Sequence, residues 1–217
     1  MSKLISTIFN HFDLNPSKLI LVDSKNKWSW SDLLNRSKHF SELFINNYSE
    51  QKIIPILVDR SGETIAAILG CILLKKGFCP ISPNQPKDRI EKQLEKLSSK
   101  ILVSTFETEL TFGKVKVLNA NDNKLKPEIK YEKTEFRDQD ILYTLFTSGS
   151  TGVPKGVMVT SKNIENTISW SKDMIDWNQT DVIGCSTNFY FDISMFDVFT
   201  SFYFNVPLAI ISETNRI

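Results

Sequence analysis

Histidine and cysteine are scarce in this sequence. Its 217 residues hold two histidines, His11 and His39, and three cysteines, Cys71, Cys79 and Cys185. No C-x-x-C spacing occurs, and so few imidazoles argue against a zinc site. An odd set of thiols in apolar surroundings reads as buried free cysteine in a reducing compartment. Cys185 stands near the candidate chemistry below, but no histidine adjoins it in sequence, so it reads as a packing residue. Charge of one sign is lacking too: Lys+Arg 26 against Asp+Glu 25 leaves +1. That balance draws the chain neither to nucleic acid nor to an anionic membrane. Long apolar runs are also missing. Residues 65–74 and 202–211 are too short to span a bilayer, and the second run holds Asn205 and Pro207. Residues 1–10 lack the apolar core of a signal peptide. These absences set the expectation of a cytoplasmic protein with no nucleic-acid or membrane partner. A hydrophobic content of 41% is enough for one sizeable core, or for two small subdomains sharing an interface.

Glycine is rare as well, 8 in all, yet Gly149, Gly152 and Gly156 fall together in Leu145-Phe-Thr-Ser-Gly-Ser-Thr-Gly-Val-Pro-Lys-Gly156. An apolar strand feeds this loop, which adds the hydroxyls of Thr147, Ser148, Ser150 and Thr151 and the cation of Lys155. Glycines allow positive φ and let backbone N–H groups form a nest for an anion. Hydroxyls can donate to phosphate oxygens or help hold Mg²⁺, and the lysine is a mobile point charge. The composition suits a polyphosphate. The spacing is not that of a Walker A loop, because Pro154 precedes the lysine and Gly156 follows it. Val157-Met-Val-Thr160 then favours a second strand over an immediate helix. The plainer alternative is a Ser/Gly-rich turn of a hairpin.

Read in order, the chain alternates strand and helix. Leu19–Val22 and Trp28-Ser-Trp30 look like strands. Ser31 offers an N-cap to a helix that puts Leu33, Phe40, Leu43 and Phe44 on one face, leaving His39 at its surface or boundary. Residues 53–58 read as a buried strand whose Pro55 points to an edge or bulge. The helix 63–74 is apolar on nearly every side and is expected between two layers. Lys75 and Lys76 favour its C-terminus, and Gly77 can end it. Pro80 and Pro83 keep the next segment extended. Pro86 opens a helix with the stripe Ile90, Leu94 and Leu97. Residues 101–105 and 115–118 read as strands, so the fold class is α/β with a largely parallel sheet. The polar stretch 119–140 is the best linker, dividing a subdomain 1–118 from a phosphate-loop subdomain 141–217. Ser161 is an expected N-cap for a helix from 162 to about 174, and residues 181–186 read as a strand.

A second constellation is Phe189-Tyr-Phe-Asp-Ile-Ser-Met-Phe-Asp-Val-Phe199. It sets Asp192 among aromatic residues at the mouth of a helix. A carboxylate with partly apolar walls suits a substrate ammonium. Capping explains it equally well: Asp192 fits an N-cap, and Ser194 with Asp197 resembles a capping box.

Tyr143-Thr-Leu-Phe-Thr-Ser-Gly-Ser-Thr-Gly-Val-Pro-Lys-Gly-Val157 closely resembles the phosphate-loop signature of the adenylate-forming enzymes: nonribosomal peptide synthetase adenylation domains, acyl-CoA synthetases and luciferases. Phe78-Cys-Pro-Ile-Ser-Pro83 resembles a second motif in part, with Ser82 where aspartate is usual, and Ser161 replaces a frequent histidine. Phe191-Asp-Ile-Ser-Met-Phe-Asp-Val-Phe199 resembles the Phe-Asp-x-Ser motif of the amino-acid-activating members. The resemblance implies layered α/β subdomains of the large N-terminal domain of such an enzyme, truncated before completion, covering about the first two-fifths of an adenylation domain. It implies ATP and Mg²⁺ as cofactors, an amino acid substrate, and as partners the C-terminal part of the domain and a carrier protein. Thr147 and Lys155 are the implied catalytic residues, with Ser148, Gly149, Ser150, Thr151, Gly152 and Gly156 around the phosphates. Asp192 would take the ammonium, with Ile193 and Phe196 lining the side-chain pocket. A cut through the sheet is expected to leave an unpaired strand edge near residues 208–211. Two other readings stay open: a ligase for a different carboxylic acid, with Asp192 a cap, and a catalytically silent fragment or split-enzyme subunit that binds nucleotide weakly.

Overall fold

A computed structural model describes residues 2–48, 50–120, 135–147 and 154–211. Helix α1 (Lys3–Leu14) precedes β1 (Leu19–Val22), β2 (Lys27–Ser29) and α2 (Trp30–Tyr48). The alternation β3 (Ile53–Leu57), α3 (Gly62–Leu73), β4 (Gly77–Ile81), α4 (Lys87–Lys96), β5 (Ile101–Ser104), β6 (Lys116–Asn119) follows. Then come β7 (Ile141–Thr147), β8 (Lys155–Thr160), α5 (Ser161–Met174), β9 (Ile183–Cys185), α6 (Asp192–Phe204) and β10 (Leu208–Ile210). Among the described residues the strands form a six-stranded sheet, β6-β5-β3-β4-β7-β8, and a four-stranded sheet, β2-β1-β10-β9. The ladders are parallel except β7–β8 and β1–β2. Residues before 118 pair with residues after 141 in both sheets, through β4–β7 and β1–β10.

The inner strands of the large sheet, β5, β3, β4 and most of β7, are buried on both faces, and the period of two along them divides their side chains between two cores. Ile54, Ile56, Phe78 and Val103 face the main core, whereas Leu57, Cys79, Ile81 and Leu102 meet Ile90 and Leu94 of α4. Every residue of α3 except Glu63 is buried, as expected of a helix apolar all round. Close approach of α2 demands Gly70, where an added Cβ would lie 2.9 Å from the Phe40 Cβ and the Ser37 carbonyl oxygen. The start of α3 is capped from a distance: Ser61 makes no side-chain cap, and the Asp23 carboxylate accepts from the Gly62 N–H at 2.8 Å.

Several local expectations shift. Ser29, not Ser31, caps α2: its hydroxyl accepts from the Asp32 N–H (3.2 Å), and the Asp32 carboxylate accepts from the Ser29 N–H (2.9 Å). Thr160, not Ser161, caps α5 in a capping box with Asn163, because the Ser161 hydroxyl already donates to the Arg137 carbonyl. Lys75, at φ +56°, takes the left-handed position that ends α3, and Gly77 opens β4. Pro55 sits in a central strand instead of at an edge; the β5 ladder begins only at Ile56, so the missing N–H meets no partner strand on that side. His39 is buried at 9% exposure, with Nε2 3.3 Å from the Ala120 carbonyl oxygen. Finally, β10 lies inside its sheet between β1 and β9, so the expected open edge at residues 208–211 falls to β9.

Candidate functional site

The Ser/Gly-rich stretch joins β7 to β8 in an antiparallel hairpin. Ser148, Gly149, Ser150, Thr151 and Gly152 lie outside the described residues. Its two flanks do not: Thr147 stands opposite Lys155 in the ladder, its hydroxyl 3.5 Å from the Lys155 carbonyl oxygen. The hairpin thus brings the two predicted catalytic residues side by side, with the Lys155 side chain in an exposed position. Gly156 belongs to β8 and has no positive φ. Its small size serves a close approach, since an added Cβ would lie 3.1 Å from the Thr144 Cγ2.

Asp192 is the first residue of α6, whose N-cap is Phe191 without a side-chain cap bond. The capping alternative is therefore not realised. Among the described residues the Asp192 carboxylate accepts only from the adjoining Ile193 N–H (2.9 Å), and Ser194 donates to the Phe191 carbonyl (2.6 Å) instead of forming a box with Asp197. Asp192 is exposed between exposed Phe191 and Ile193, and Phe196 is half-buried. The carboxylate lies close enough to β7 to act on Tyr143: burial pushes that phenol well above its usual range, and the Asp192 charge adds to the push. Nearby, burial raises the Asp197 carboxyl to about 6, and a hydrogen bond from Cys185 pulls it partly back. All three cysteines are free and buried, and burial raises the Cys185 thiol to about 12, the behaviour of a packing residue.

Two hollows adjoin these elements. A crevice of about 250 Å³ opens at the carboxyl ends of the strands, between Asp59 and Arg60 after β3, Pro83 and Asn84 after β4, and Asn188 and Tyr190 before α6. A wider one of about 590 Å³ lies against β8 and the amino end of β3. Among the described residues, Gly156 is the one predicted site residue lining either hollow; Ile193 and Phe196 line neither. Among the described residues no group of three His, Cys, Asp or Glu side chains could hold a metal ion.

Residues 9–216 match the family of AMP-binding enzymes. The chain belongs to that family. This family member is 27% identical to bacitracin synthase 3 of Bacillus licheniformis over 216 residues, 98% of this chain but 3% of that protein. Its fold matches VinN, solved in complex with L-aspartate, at a TM-score of 0.81 and 17% identity over 95% of this chain and 61% of that one. It also matches the nonribosomal peptide synthetase FmoA3 in an AMPPNP-bound form, at 0.80 and 19% over 98% and 23%. The chain thus spans a small fraction of the synthetases it resembles. No helix among its described residues is long and apolar enough to cross a membrane.

Sequence reasoning missed Arg60, which falls between the expected strand 53–58 and helix 63–74, and Asn188, which directly precedes the second constellation. The one signal available was a cation directly after a buried parallel strand, where α/β folds collect functional groups.

Proposed function

We propose that this chain is the nucleotide- and substrate-binding part of a ligase that uses ATP to convert an amino acid carboxylate into an aminoacyl-adenylate. The substrate carboxylate attacks the α-phosphorus, the bond to the β-phosphate breaks, and pyrophosphate leaves. Lys155 and Thr147, with Ser148, Gly149, Ser150, Thr151, Gly152 and Gly156 between and beside them, hold the β- and γ-phosphates as charge builds there. Bound as its Mg²⁺ complex, ATP would have its phosphate charge shared between the metal and Lys155. Asp192 takes the α-ammonium, Ile193 and Phe196 border the substrate side chain, and the adenylate passes to a carrier protein once the C-terminal part of the domain completes the site. Functionally, residues 1–118 form the supporting unit and 141–217 the phosphate-loop unit, with 119–140 between them.

The observation that carries this reading is Asp192: an exposed carboxylate that is not the N-cap of α6, between two apolar side chains, beside the strand that leads to Thr147. The AMPPNP-bound and L-aspartate-bound relatives of this fold support the same choice of ligands. The test is amino-acid-dependent ATP–pyrophosphate exchange across the proteinogenic amino acids, with the C-terminal portion of an adenylation domain supplied or withheld. Asp192→Ala should lower the exchange by about ten- to a hundredfold, a hydrogen bond between charged groups being worth ~1.5–3 kcal/mol. Exchange that is unchanged by this substitution, or driven by acids without an amino group, would sink the reading.

A further inference from the structure

We infer that Arg60 is the positioning residue of the substrate-ammonium end of the site: its guanidinium clasps the segment that carries Asp192. Arg60 lies in the turn after β3 of the large sheet, yet it bonds the other sheet. Nη1 donates to the Ser186 carbonyl (2.6 Å) and reaches the Asn188 Oδ1 at 3.4 Å. Nη2 donates to the Cys185 carbonyl (2.8 Å) and to the carbonyl of Ile211. One planar group thus gathers the chain leaving β9 and the chain leaving β10, both three-residue strands, onto the turn after β3. Strands so short hold their own ends weakly, and their cross-bracing comes from outside the ladder.

The clasp is connected to Asp192 by a short relay. Asn188 donates through Nδ2 to the Tyr190 hydroxyl (2.8 Å), and its carbonyl accepts from the Phe191 N–H (3.0 Å). The Phe191 carbonyl accepts from the Ser194 hydroxyl, which fixes the residue before Asp192 against the first turn of α6. On its own side the turn is rigid: the Asp59 carboxylate accepts from the hydroxyls of Ser61 (2.5 Å), Thr64 (3.0 Å) and Thr105 (3.2 Å). Four acceptors spread over two stretches of chain need a planar fork, which lysine does not supply.

This role rests on the proposed function, so its test has one readout that does not. In the free chain, Arg60→Ala should speed amide hydrogen exchange about tenfold over residues 186–194, while α3 amides keep their protection. In the pyrophosphate-exchange assay, Arg60→Ala should raise KM for the amino acid about tenfold, as outer-shell losses do, with KM for ATP unchanged. Arg60→Lys should recover less than half of either effect. Unchanged amide exchange over 186–194, an equal rise in both KM values, or full rescue by lysine overturns the clasp. Should the unsubstituted protein show no amino-acid-dependent exchange at all, the proposed function falls and the amide-exchange result alone decides for or against the clasp.

Discussion

Strand β7 has two neighbours, and they meet solvent in opposite ways. On one side β4 is buried along its whole length. On the other, β8 is exposed from Lys155 through Met158, including the apolar Val157 and Met158. Both carry an apolar stretch, Phe78-Cys-Pro-Ile81 against Val157-Met-Val159. What separates them is position in the layers. Phe78 faces the main core, and Cys79 and Ile81 face the core under α4, whereas of β8 only Val159 packs against the main core. Residue type alone thus does not tell burial; a strand's place in the sheet does. The hairpin that carries Thr147 and Lys155 is accordingly anchored through β4 and open at its outer strand.

The sharpest way to break that contrast is to hollow out the anchored side. Phe78 is fully buried, and its ring centroid lies 5.7 Å from that of Tyr143 on β7. Phe78→Ala should cost ~3–5 kcal/mol of unfolding free energy, the range for deleting a buried aromatic. Urea titration followed by tryptophan fluorescence reads it directly. A loss below ~1 kcal/mol would mean that β4 does not anchor the hairpin as its burial implies.

A smaller effect, opposite in sign, is expected where the two sides meet. Thr144 is buried on β7 with its Cγ2 against Gly156, and its Oγ1 has no hydrogen-bond partner among the described residues. Replacing that hydroxyl by a methyl of similar shape removes a buried polar group. Thr144→Val should therefore stabilise the chain by ~1 kcal/mol. Thermal unfolding should show a higher midpoint, and a lower one would reveal that the hydroxyl is satisfied.

The same contrast sorts what the sequence made legible. Helix α3 could be placed between layers because it is apolar on every side, and a helix with no polar face has only one kind of home. The strand–helix alternation likewise announced the parallel sheet. Caps slipped by a residue or two where hydroxyls crowd together: Ser29 and Ser31 compete for one helix, Thr160 and Ser161 for another. The winner was settled by tertiary partners, such as the Arg137 carbonyl that takes the Ser161 hydroxyl. Pro55 misled for a similar reason, since its central strand leaves the missing donor beside a ladder that has not yet begun. At the candidate site, Thr147, Lys155 and Asp192 stood out because each lies in a dense local sequence pattern. Arg60 did not, because its acceptors Cys185 and Ile211 lie 125 and 151 residues further along the chain. No local pattern encodes such a bond.

The smallest expected effect tests the open side. Met158 is 61% exposed on β8 and borders the wider hollow. Its neighbour in the β7–β8 register is Thr144, so its backbone is held by the ladder whatever side chain it bears. Met158→Ser removes apolar surface that folding leaves mostly in water, so the transfer term that dominates at Phe78 is nearly absent. The expected change is within ~0.5 kcal/mol in the urea titration. A cost approaching that of Phe78→Ala would require β8 to be packed from its outer side as β4 is, and the asymmetry between the two neighbours of β7 would disappear.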